Sequence, residues 1–479
     1  MPPRDITVAA ADAADRVASL TAGARGTPRK YTATQVEKHC TPEDCWVIVH
    51  GKVYDVTKFV PRHPGGNMIW VKAGGDCTQL FDSYHPLRTQ AVLDKFYVGE
   101  LERVKGDENK IITYVDDMKP GKFYLECKRA VERWFKDNGK NPRVHPEMFI
   151  KTFVILAGIV VCHYGSFFRT SSFAVSVLFA VMHGVCKAEI GVSIQHDANH
   201  GAYGTNKTFL HIMQLTLDVA GASSFMWRQQ HVVGHHAYTN VEGVDPDIRC
   251  APAKDIRRVN EHQPHETYHG MQHVYLALAY GLLSFKSCFL DDFTAFFSGK
   301  IGWVTVSKFT NGESLAFWGT KAVWAFYYLY LPFSVGVHSI AKTCVLLTIT
   351  EFITGWLLAF MFQVAHVVGD VRFFQLSDAG KLNLGWGESQ LYSSADFAHD
   401  SKFWTHFSGG LNYQVAHHLF PGVCHCYYPN IAPVIAKVAK EFGLEYCVYP
   451  TFLSALSAHF THLKNVGQKT YVPSLQTVG

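Results

Sequence analysis

The chain has 479 residues, more than one compact core usually organises, so we expect at least two domains. Its net charge of +4 is spread along the sequence and forms no basic stripe, which gives no support to nucleic-acid binding. The aromatic share of 14% and the clustering of apolar residues after Phe149 indicate contact with lipid instead.

The N-terminal part of the sequence is soluble in character. Residues 1–28 contain acidic residues and no apolar run, so we expect a disordered tail and no cleaved secretory signal. Residues 29–103 contain short alternating stretches, at 46–49 and 52–56, which predict a small α+β module. Residues 104–145 are charged and interrupted by Pro and Gly, as in a linker that ends in a surface helix. The 12 cysteines of the chain form no CxxC pair and predict no disulfide framework.

The remainder of the chain, residues 146–479, predicts an all-α membrane domain. Four apolar stretches approach the ~20 residues that a helix needs to cross a bilayer, and they pair into two hairpins. The four stretches are 149–168, 173–194, 322–340 and 343–362. Two others, 209–226 and 274–290, carry enough His, Asp, Gly and Lys to favour helices at the membrane interface.

Two histidines of the N-terminal module are predicted to be the axial ligands of a haem. His63 begins a His-Pro-Gly-Gly turn, which leaves little side-chain bulk beside the imidazole. His85 follows in an aromatic setting that suits the opposite axial position. Because two axial ligands leave no position for O₂, this haem is expected to carry single electrons.

Three histidine groups in the second half of the chain predict a metal centre. Residues three or four apart share one face of a helix, so the members of each group are predicted to aim at one point. An even number of spans separates the groups, which puts all of them on one side of the membrane. His366, at the end of the fourth span, is an additional candidate. The predicted ligands are His196 and His200; His231, His235 and His236; His366; and Gln414, His417 and His418.

Eight imidazoles and one amide exceed what a single tetrahedral zinc ion uses, so two metal ions are predicted. The spacing alone allows zinc, copper or iron. A fused one-electron carrier serves no purpose for redox-inert zinc, and it therefore favours iron.

Several polar residues near the groups are candidates for a supporting role. Asp245-Pro246-Asp247 follows the second group and either orients its histidines or forms a solvated turn. His273, His406 and His425 are interpreted as supporting or substrate-lining residues at most.

The N-terminal module resembles cytochrome b5 through Asp44–Val47, the stretch 53–57, Phe59 and the HPGG turn. With the boxes HDANH and QHVVGHH, and a third box that begins with Gln, the chain resembles the front-end fatty-acyl desaturases. This resemblance implies insertion of a cis double bond between an existing one and the carboxyl end of a polyunsaturated acyl chain. It also implies O₂, two non-haem irons, haem b, and electrons from NADH through cytochrome b5 reductase. The expected location is the endoplasmic reticulum membrane, with the haem domain and a histidine-box cap facing the cytosol.

Flanking segments such as 236–240, 255–258 and 409–413 look similar to the Δ5 enzymes of oomycetes and related microbes. This similarity favours Δ5 desaturation of C20 substrates. Val415-Ala416 replaces the Ile-Glu that relatives often carry in the third box. Δ4, Δ6 and sphingoid Δ8 desaturation remain alternatives, as does a membrane fatty-acid hydroxylase. A membrane-anchored haem electron carrier is the non-enzymatic alternative, and the acyl carrier, coenzyme A or a phospholipid, stays open.

Overall fold

The computed structural model describes residues 28–104, 106, 111–116, 118–169, 172–248 and 255–470. The predicted disordered tail, residues 1–28, lies outside this set except for its last residue. The chain divides into two compact units, the first formed by residues up to Ile112 with 117–119, and the second by Thr113–Asp116 and the chain from Pro120 onward. The order is an α+β module followed by a helical domain, as the sequence predicts. The finer domain boundaries at residues 28, 103 and 145 stay a prediction.

The first unit is built on a five-stranded sheet in the order β1-β5-β4-β3-β2. β1 runs parallel to β5, and the other neighbours are antiparallel. The strands are β1 Lys30–Thr32, β2 Cys40–Thr41, β3 Asp44–Val49, β4 Lys52–Asp55 and β5 Tyr97–Glu102. The α-helices are Ala33–Val36, Thr78–Tyr84 and Gln90–Leu93, and the 3₁₀ turns are Thr57–Arg62, Gly66–Trp70, Leu87–Thr89 and Asp94–Phe96.

A tight turn and an alternating pattern explain the central hairpin of this sheet. His50 and Gly51 both have positive φ, 50° and 70°, as a two-residue turn matched to strand twist requires. Cys45, Val47 and Val49 of β3 point to one face, where they are buried in a single apolar cluster. The soluble character predicted for this module therefore rests on an ordinary small core.

The second unit is helical. Its α-helices are Lys122–Asp137, Pro146–Tyr164, Phe173–Glu189, Gln195–Asn199, Lys207–Gln214, Thr216–Ala220, Ser224–Trp227, Gln272–Ala279, Leu283–Lys286, Asp292–Ser298, Asn311–Trp324, Leu331–Ser334, Ile340–His366, Trp386–Tyr392, Lys402–Phe407, Gln414–Leu419, Tyr428–Glu441 and Phe452–Val466. π-helical turns continue several of them, at Gly165–Arg169, Ile190–Ile194, Arg228–His235, Ser287–Asp291 and Ala325–Tyr330. The 3₁₀ turns are Thr267–Met271, Tyr280–Leu282, Leu411–Tyr413 and His425–Tyr427. Two small sheets pair β6 Lys300–Ile301 with β7 Val304–Thr305, and β8 Asp396–Phe397 with β9 Val448–Tyr449.

Within the described residues, four helices are long and apolar enough to cross a membrane. They are Pro146–Arg169, Phe173–Asn199, Thr267–Ser298 and Ile340–His366. The predicted number of spans is confirmed, and the first, second and fourth contain the stretches that the sequence predicts. The second span ends at the first histidine box, and the fourth ends at His366.

The third predicted span is wrong. The stretch 322–340 is not one helix, because the helix that begins at Asn311 ends at Ser334. Beyond that end, Gly336 passes so close to the carbonyl oxygen of Pro332 that an added Cβ would lie 2.2 Å from it. The helix therefore ends inside the stretch that was predicted to be continuous.

The helix over Thr267–Ser298 takes the place of that span, although the sequence predicts only an interfacial helix there. Its charged residues have partners that the sequence does not reveal. The carboxylate of Asp292 lies 2.6 Å from the ammonium of Lys321, and Lys286 lies 2.6 Å from Asp291. Pairing lowers the free-energy cost of these charges in an apolar setting.

Candidate metal centre

The three histidine boxes and His366 meet in the second unit and form two groups of imidazoles. In the first group, one ligand nitrogen from each histidine lies within 4.8 Å of the others, and the same holds in the second group. His236 lies between the groups, within the same distance of His417 and His418. All eight histidines are buried. The first group is His196, His200, His231 and His417, and the second is His235, His366 and His418.

The second box is divided between the two groups, and the prediction that His231 and His235 aim at one point is therefore wrong. The box lies in the π-helical stretch Arg228–His235, where more than four residues make a turn. As a result His231 meets the residue five positions on, and its Nε2 lies 3.2 Å from Nε2 of His236. π-helical turns are frequent at functional sites, and here the turn spreads one box over two groups.

The third box is divided in the same way. Gln414 and His418, one α-helical turn apart, both approach His366, with side-chain nitrogens 2.7 and 3.1 Å from its Nε2. His417 points instead into the first group. The prediction of a single target for this box is wrong, because residues adjacent in a helix project about 100° apart.

Hydrogen bonds on the outer side of the rings fix which nitrogen carries the proton. Nδ1 of His231 donates to the Asp247 carboxylate at 2.7 Å, and Nδ1 of His235 donates to Asp245 at 2.9 Å. Nδ1 of His366 donates to the Ser393 carbonyl at 2.9 Å. In each ring the Nε2 atom therefore keeps its lone pair and is the atom available to bind a metal.

The inward-facing nitrogens fit a metal and do not fit one another. His418 donates from Nδ1 to the Gln390 side-chain oxygen at 2.9 Å, so its Nε2 and that of His366 are two lone pairs only 3.1 Å apart. The amide nitrogen of Gln414 lies 2.7 Å from Nε2 of His366 and 3.0 Å from Nε2 of His418, and it supplies the donors that face them in this structure. Two nitrogens bound to one metal at about 2.1 Å lie roughly 3 Å apart when their bonds meet near a right angle. The observed spacing would suit two ligands of one ion.

Unsatisfied polar atoms support the same conclusion. Nε2 of His235 and of His417 is buried and has no hydrogen-bond partner among the described residues, and neither ring nitrogen of His196 has one. The side-chain oxygen of Gln414 is likewise without a partner. Orphaned buried acceptors at one point are costly unless an ion satisfies them. The donor set fits a two-metal centre.

Asp245 and Asp247 orient the second box, and this decides between the two interpretations that the sequence leaves open. Burial opposes ionisation of Asp247, but hydrogen bonds from His231 and Gln230 help to hold the pKa of this carboxyl below its usual range. Gly234 allows the turn that carries Asp245 and Asp247 to approach the second box, because a Cβ at this position would lie 2.5 Å from the ring of Pro246. Burial in turn lowers the pKa of His231 to about 4, which favours the neutral, metal-binding imidazole.

Other supporting residues have no clear signal in the sequence. Gln390 and Ser393 come from the helix Trp386–Tyr392 and the residue that ends it, and the hydroxyl of Tyr428 lies 3.1 Å from Nδ1 of His417. Each is an ordinary polar residue far along the chain from its partner. His425 is buried and donates from Nδ1 to Asp197 at 2.9 Å, so it supports the first box and is not itself in either group.

Two other histidines near the boxes lie outside both groups. His406 lies 3.6 Å from the exposed carboxylate of Glu147, and His273 lies at the start of the helix Gln272–Ala279. Among the described residues, no hydrogen bond or ion pair links either histidine to the two groups. This fits the minor role that the sequence predicts.

A cavity of about 610 Å³ adjoins the first group. His196, His231 and Gln414 line it on the side of the metal centre, and Leu358 and Phe362 line its apolar wall. Its size falls within the range of pockets that enclose small ligands. The centre therefore adjoins a largely apolar cavity, whose lining also includes charged residues such as Lys187, Asp245 and Asp292.

In the first unit, His63 and His85 face each other, with ring centroids 5.9 Å apart. Nδ1 of His63 donates to the Gly66 carbonyl at 3.3 Å, and Nδ1 of His85 donates to the Phe81 carbonyl at 3.1 Å. The Nε2 lone pair of each ring therefore remains available to bind a metal. With metal–nitrogen bonds of about 2 Å and ring centres about 1 Å behind each nitrogen, two axial imidazoles lie roughly 6 Å apart. The pair fits a haem iron.

Comparison with known proteins agrees with this geometry. Residues 171–450 match the family described as "Fatty acid desaturase", and residues 32–102 match "Cytochrome b5-like Heme/Steroid binding domain". The chain is 52% identical to an acyl-lipid (8-3)-desaturase of Physcomitrium patens, over 92% of each chain. It is 33% identical to Delta(5) fatty acid desaturase A of Dictyostelium discoideum, over 92% of this chain and 94% of that one. Among solved structures, cytochrome b558 of Ectothiorhodospira vacuolata is 36% identical, with coverage of 16% of this chain and 100% of that one and a TM-score of 0.15.

The chain belongs to the fatty acid desaturase family and carries a fused cytochrome b5 domain. It is a front-end fatty-acyl desaturase, an oxidoreductase of the membrane, with haem in the first domain and a di-iron centre in the second. The sequence predictions of the family, the enzyme class and the cofactors are confirmed.

Proposed function

We infer that the enzyme introduces a cis double bond at carbon 5 of a C20 polyunsaturated acyl chain, and that the nine predicted side chains hold its iron. The observation that carries this proposal is the meeting of two groups of imidazoles, with lone pairs facing inward, beside an apolar cavity. Each group would hold one ion, with His236 as a further ligand next to His417 and His418. Gln414 would complete the second group once its amide is turned over, because the structure directs its nitrogen, and not its orphaned oxygen, at His366 and His418.

The protein's part in the reaction is to bind, orient and exclude water. An unactivated methylene C–H has no useful acidity, so the iron pair with O₂ supplies the oxidant that acids and bases do not. Asp245 and Asp247 hold the rings of His235 and His231 in the metal-binding tautomer. The wall formed by Leu358 and Phe362 keeps water from the acyl carbons that react.

Electrons would enter through the haem. His63 and His85 would ligate its iron from both sides, so that it passes one electron at a time and binds no O₂. The electrons would come from NADH through cytochrome b5 reductase. The protein would span the endoplasmic reticulum membrane, with the haem domain and the active site facing the cytosol. In this proposal the haem domain covers residues 29–103, the linker and surface helix 104–145, and the desaturase domain 146–479.

The choice of carbon 5 draws on the relatives. One is named a Delta(5) fatty acid desaturase, and segments such as 236–240 look similar to microbial Δ5 enzymes. The substrate is either a coenzyme A thioester or a phospholipid ester.

The position of the new double bond can be measured by feeding. A host that lacks polyunsaturated desaturation is given C18, C20 and C22 polyunsaturated acids while it makes the full chain, and the products are located by gas chromatography with mass spectrometry. We expect a C20 product with a new double bond at carbon 5, because we propose that the enzyme selects the carbon by its distance from the acyl head group. A host that carries His417→Ala is the control. New unsaturation at carbon 4, 6 or 8, or a hydroxylated product, would contradict the proposal.

A further inference from the structure

A second group of metal-binding side chains lies outside the di-iron centre, where the turn after the third box meets the segment before the first span. The backbone nitrogen of Cys424 donates to the Pro142 carbonyl at 2.8 Å, and the hydroxyl of Tyr427 donates to the Val144 carbonyl at 2.9 Å. The rings of Tyr427 and His145 meet edge to face, 4.8 Å apart. These contacts hold two segments, far apart in the chain, side by side.

The donors at this junction form two overlapping sets. The sulfurs of Cys424 and Cys426 and a ring nitrogen of His425 lie within 4.8 Å of one another, and so do the Cys426 sulfur, a His145 nitrogen and a Glu147 oxygen. Cys424 is 1% exposed and Cys426 is 9% exposed, and neither forms a disulfide. His145 is partly exposed and Glu147 is exposed, so an ion could enter from that side.

His425 is already committed to another role. Its backbone nitrogen and its Nδ1 both donate to the same carboxylate oxygen of Asp197, at 3.1 and 2.9 Å. Its Nε2 lies 3.5 Å from the ammonium of Lys151. The remaining donors are two thiols, one imidazole and one carboxylate. Cys426 belongs to both sets, and it therefore connects Cys424 to His145 and Glu147.

We propose that Cys424, Cys426, His145 and Glu147 bind one zinc ion. Zinc takes four such ligands in tetrahedral geometry and accepts sulfur, nitrogen and oxygen together, whereas calcium and magnesium prefer oxygen alone. Two thiolates and one carboxylate around Zn²⁺ leave the site with one net negative charge.

The zinc ion would act as a structural cross-link. It would join the entry to the first span, at His145 and Glu147, to the turn that carries His425 and Tyr428. His425 contacts Asp197, next to the iron-group residue His196, and Tyr428 contacts His417. The cross-link therefore stabilises His425 and Tyr428, which support the first and the third histidine box. This inference does not depend on which carbon the enzyme desaturates.

The test is metal analysis of the full chain, purified from membranes in detergent. Zinc, iron and haem are counted by mass spectrometry and absorbance for the wild type and for Cys424→Ser/Cys426→Ser. The matched control is Cys344→Ser/Cys447→Ser, which removes two thiols elsewhere. We expect about one zinc per chain in the wild type and the control, and a loss of more than about tenfold in the first double variant. Growth with cobalt should give the wild type a thiolate-to-cobalt absorption band that this variant lacks.

Two results would overturn the proposal: a wild type without zinc after growth with added zinc, or equal zinc in both double variants. If Cys424→Ser/Cys426→Ser does not accumulate, His145→Gln keeps both thiols and should release zinc to a chelator at least about tenfold faster than the wild type. Unchanged release from His145→Gln would also overturn it. Iron content and double-bond position are measured separately, so failure of the zinc site and failure of the proposed function are distinguishable.

Discussion

Replacement of His417 by alanine is expected to abolish double-bond formation. His417 belongs to the first group of imidazoles and also lies within 4.8 Å of His236 and His418, so its loss disturbs both ions. Removal of residues that merely support metal ligands costs about 10–100-fold, so removal of this ligand should cost more than about 100-fold. Product formation is measured by gas chromatography of fatty acids from membranes that contain the variant.

The control for this variant is His211→Ala, which removes an exposed histidine from the helix Lys207–Gln214. It should keep wild-type activity and wild-type iron. Substantial desaturation by His417→Ala, at protein levels equal to those of the control, would defeat the assignment of this imidazole to the metal centre.

His63→Ala is expected to remove the haem and, with it, the supply of electrons. Only one axial imidazole, His85, would remain, so the haem iron would have one protein ligand instead of two. We expect the haem absorbance to disappear and NADH-driven desaturation in membranes to fall by more than about 100-fold, while non-haem iron is retained.

Lys58→Ala, at an exposed position in the turn Thr57–Arg62, is the matched control and should keep both haem and activity. A His63→Ala protein without haem that still works at the wild-type rate would show that electrons reach the iron by another route. Loss of non-haem iron in the same variant would mean that the first domain stabilises the second, and not only that it carries electrons.

The histidine boxes could be identified from the sequence because their chemistry is local. Imidazoles three or four residues apart, such as His196 and His200, are an uncommon pattern, and both do lie in one group. The division of the second and third boxes between two groups was not predictable. It depends on a π-helical turn at Arg228–His235, and a π turn differs from an α turn by one residue without a distinct sequence pattern.

The residues that hydrogen-bond the histidines of the metal centre could not be predicted from the sequence, for a different reason. Gln390 reaches His418 across 28 residues of sequence, and the Ser393 carbonyl reaches His366 across 27. Neither residue type is distinctive, and a backbone carbonyl leaves no trace in a sequence at all. Asp245 and Asp247 could be suspected because they follow the second box closely, but only the fold brings their carboxylates to the rings.

The third span illustrates how tertiary partners alter a reading of hydropathy. Lys286, Asp291 and Asp292 make the helix Thr267–Ser298 look interfacial in sequence. In the fold Asp292 is neutralised by Lys321, and Lys286 by Asp291, so the helix is less polar than its composition indicates. The number of spans was predictable from long apolar runs, whereas the bounds of the third depended on these pairs.

Iron spectroscopy of the purified wild-type chain tests the paired centre most directly. Mössbauer spectra of protein enriched in ⁵⁷Fe separate non-haem iron from haem iron, and X-ray absorption at the iron edge reports the coordinating atoms. We expect about two non-haem irons per chain, in sites dominated by nitrogen ligands at about 2.1 Å. A single non-haem iron, or a coordination sphere dominated by oxygen or sulfur, would contradict the arrangement of imidazoles described above.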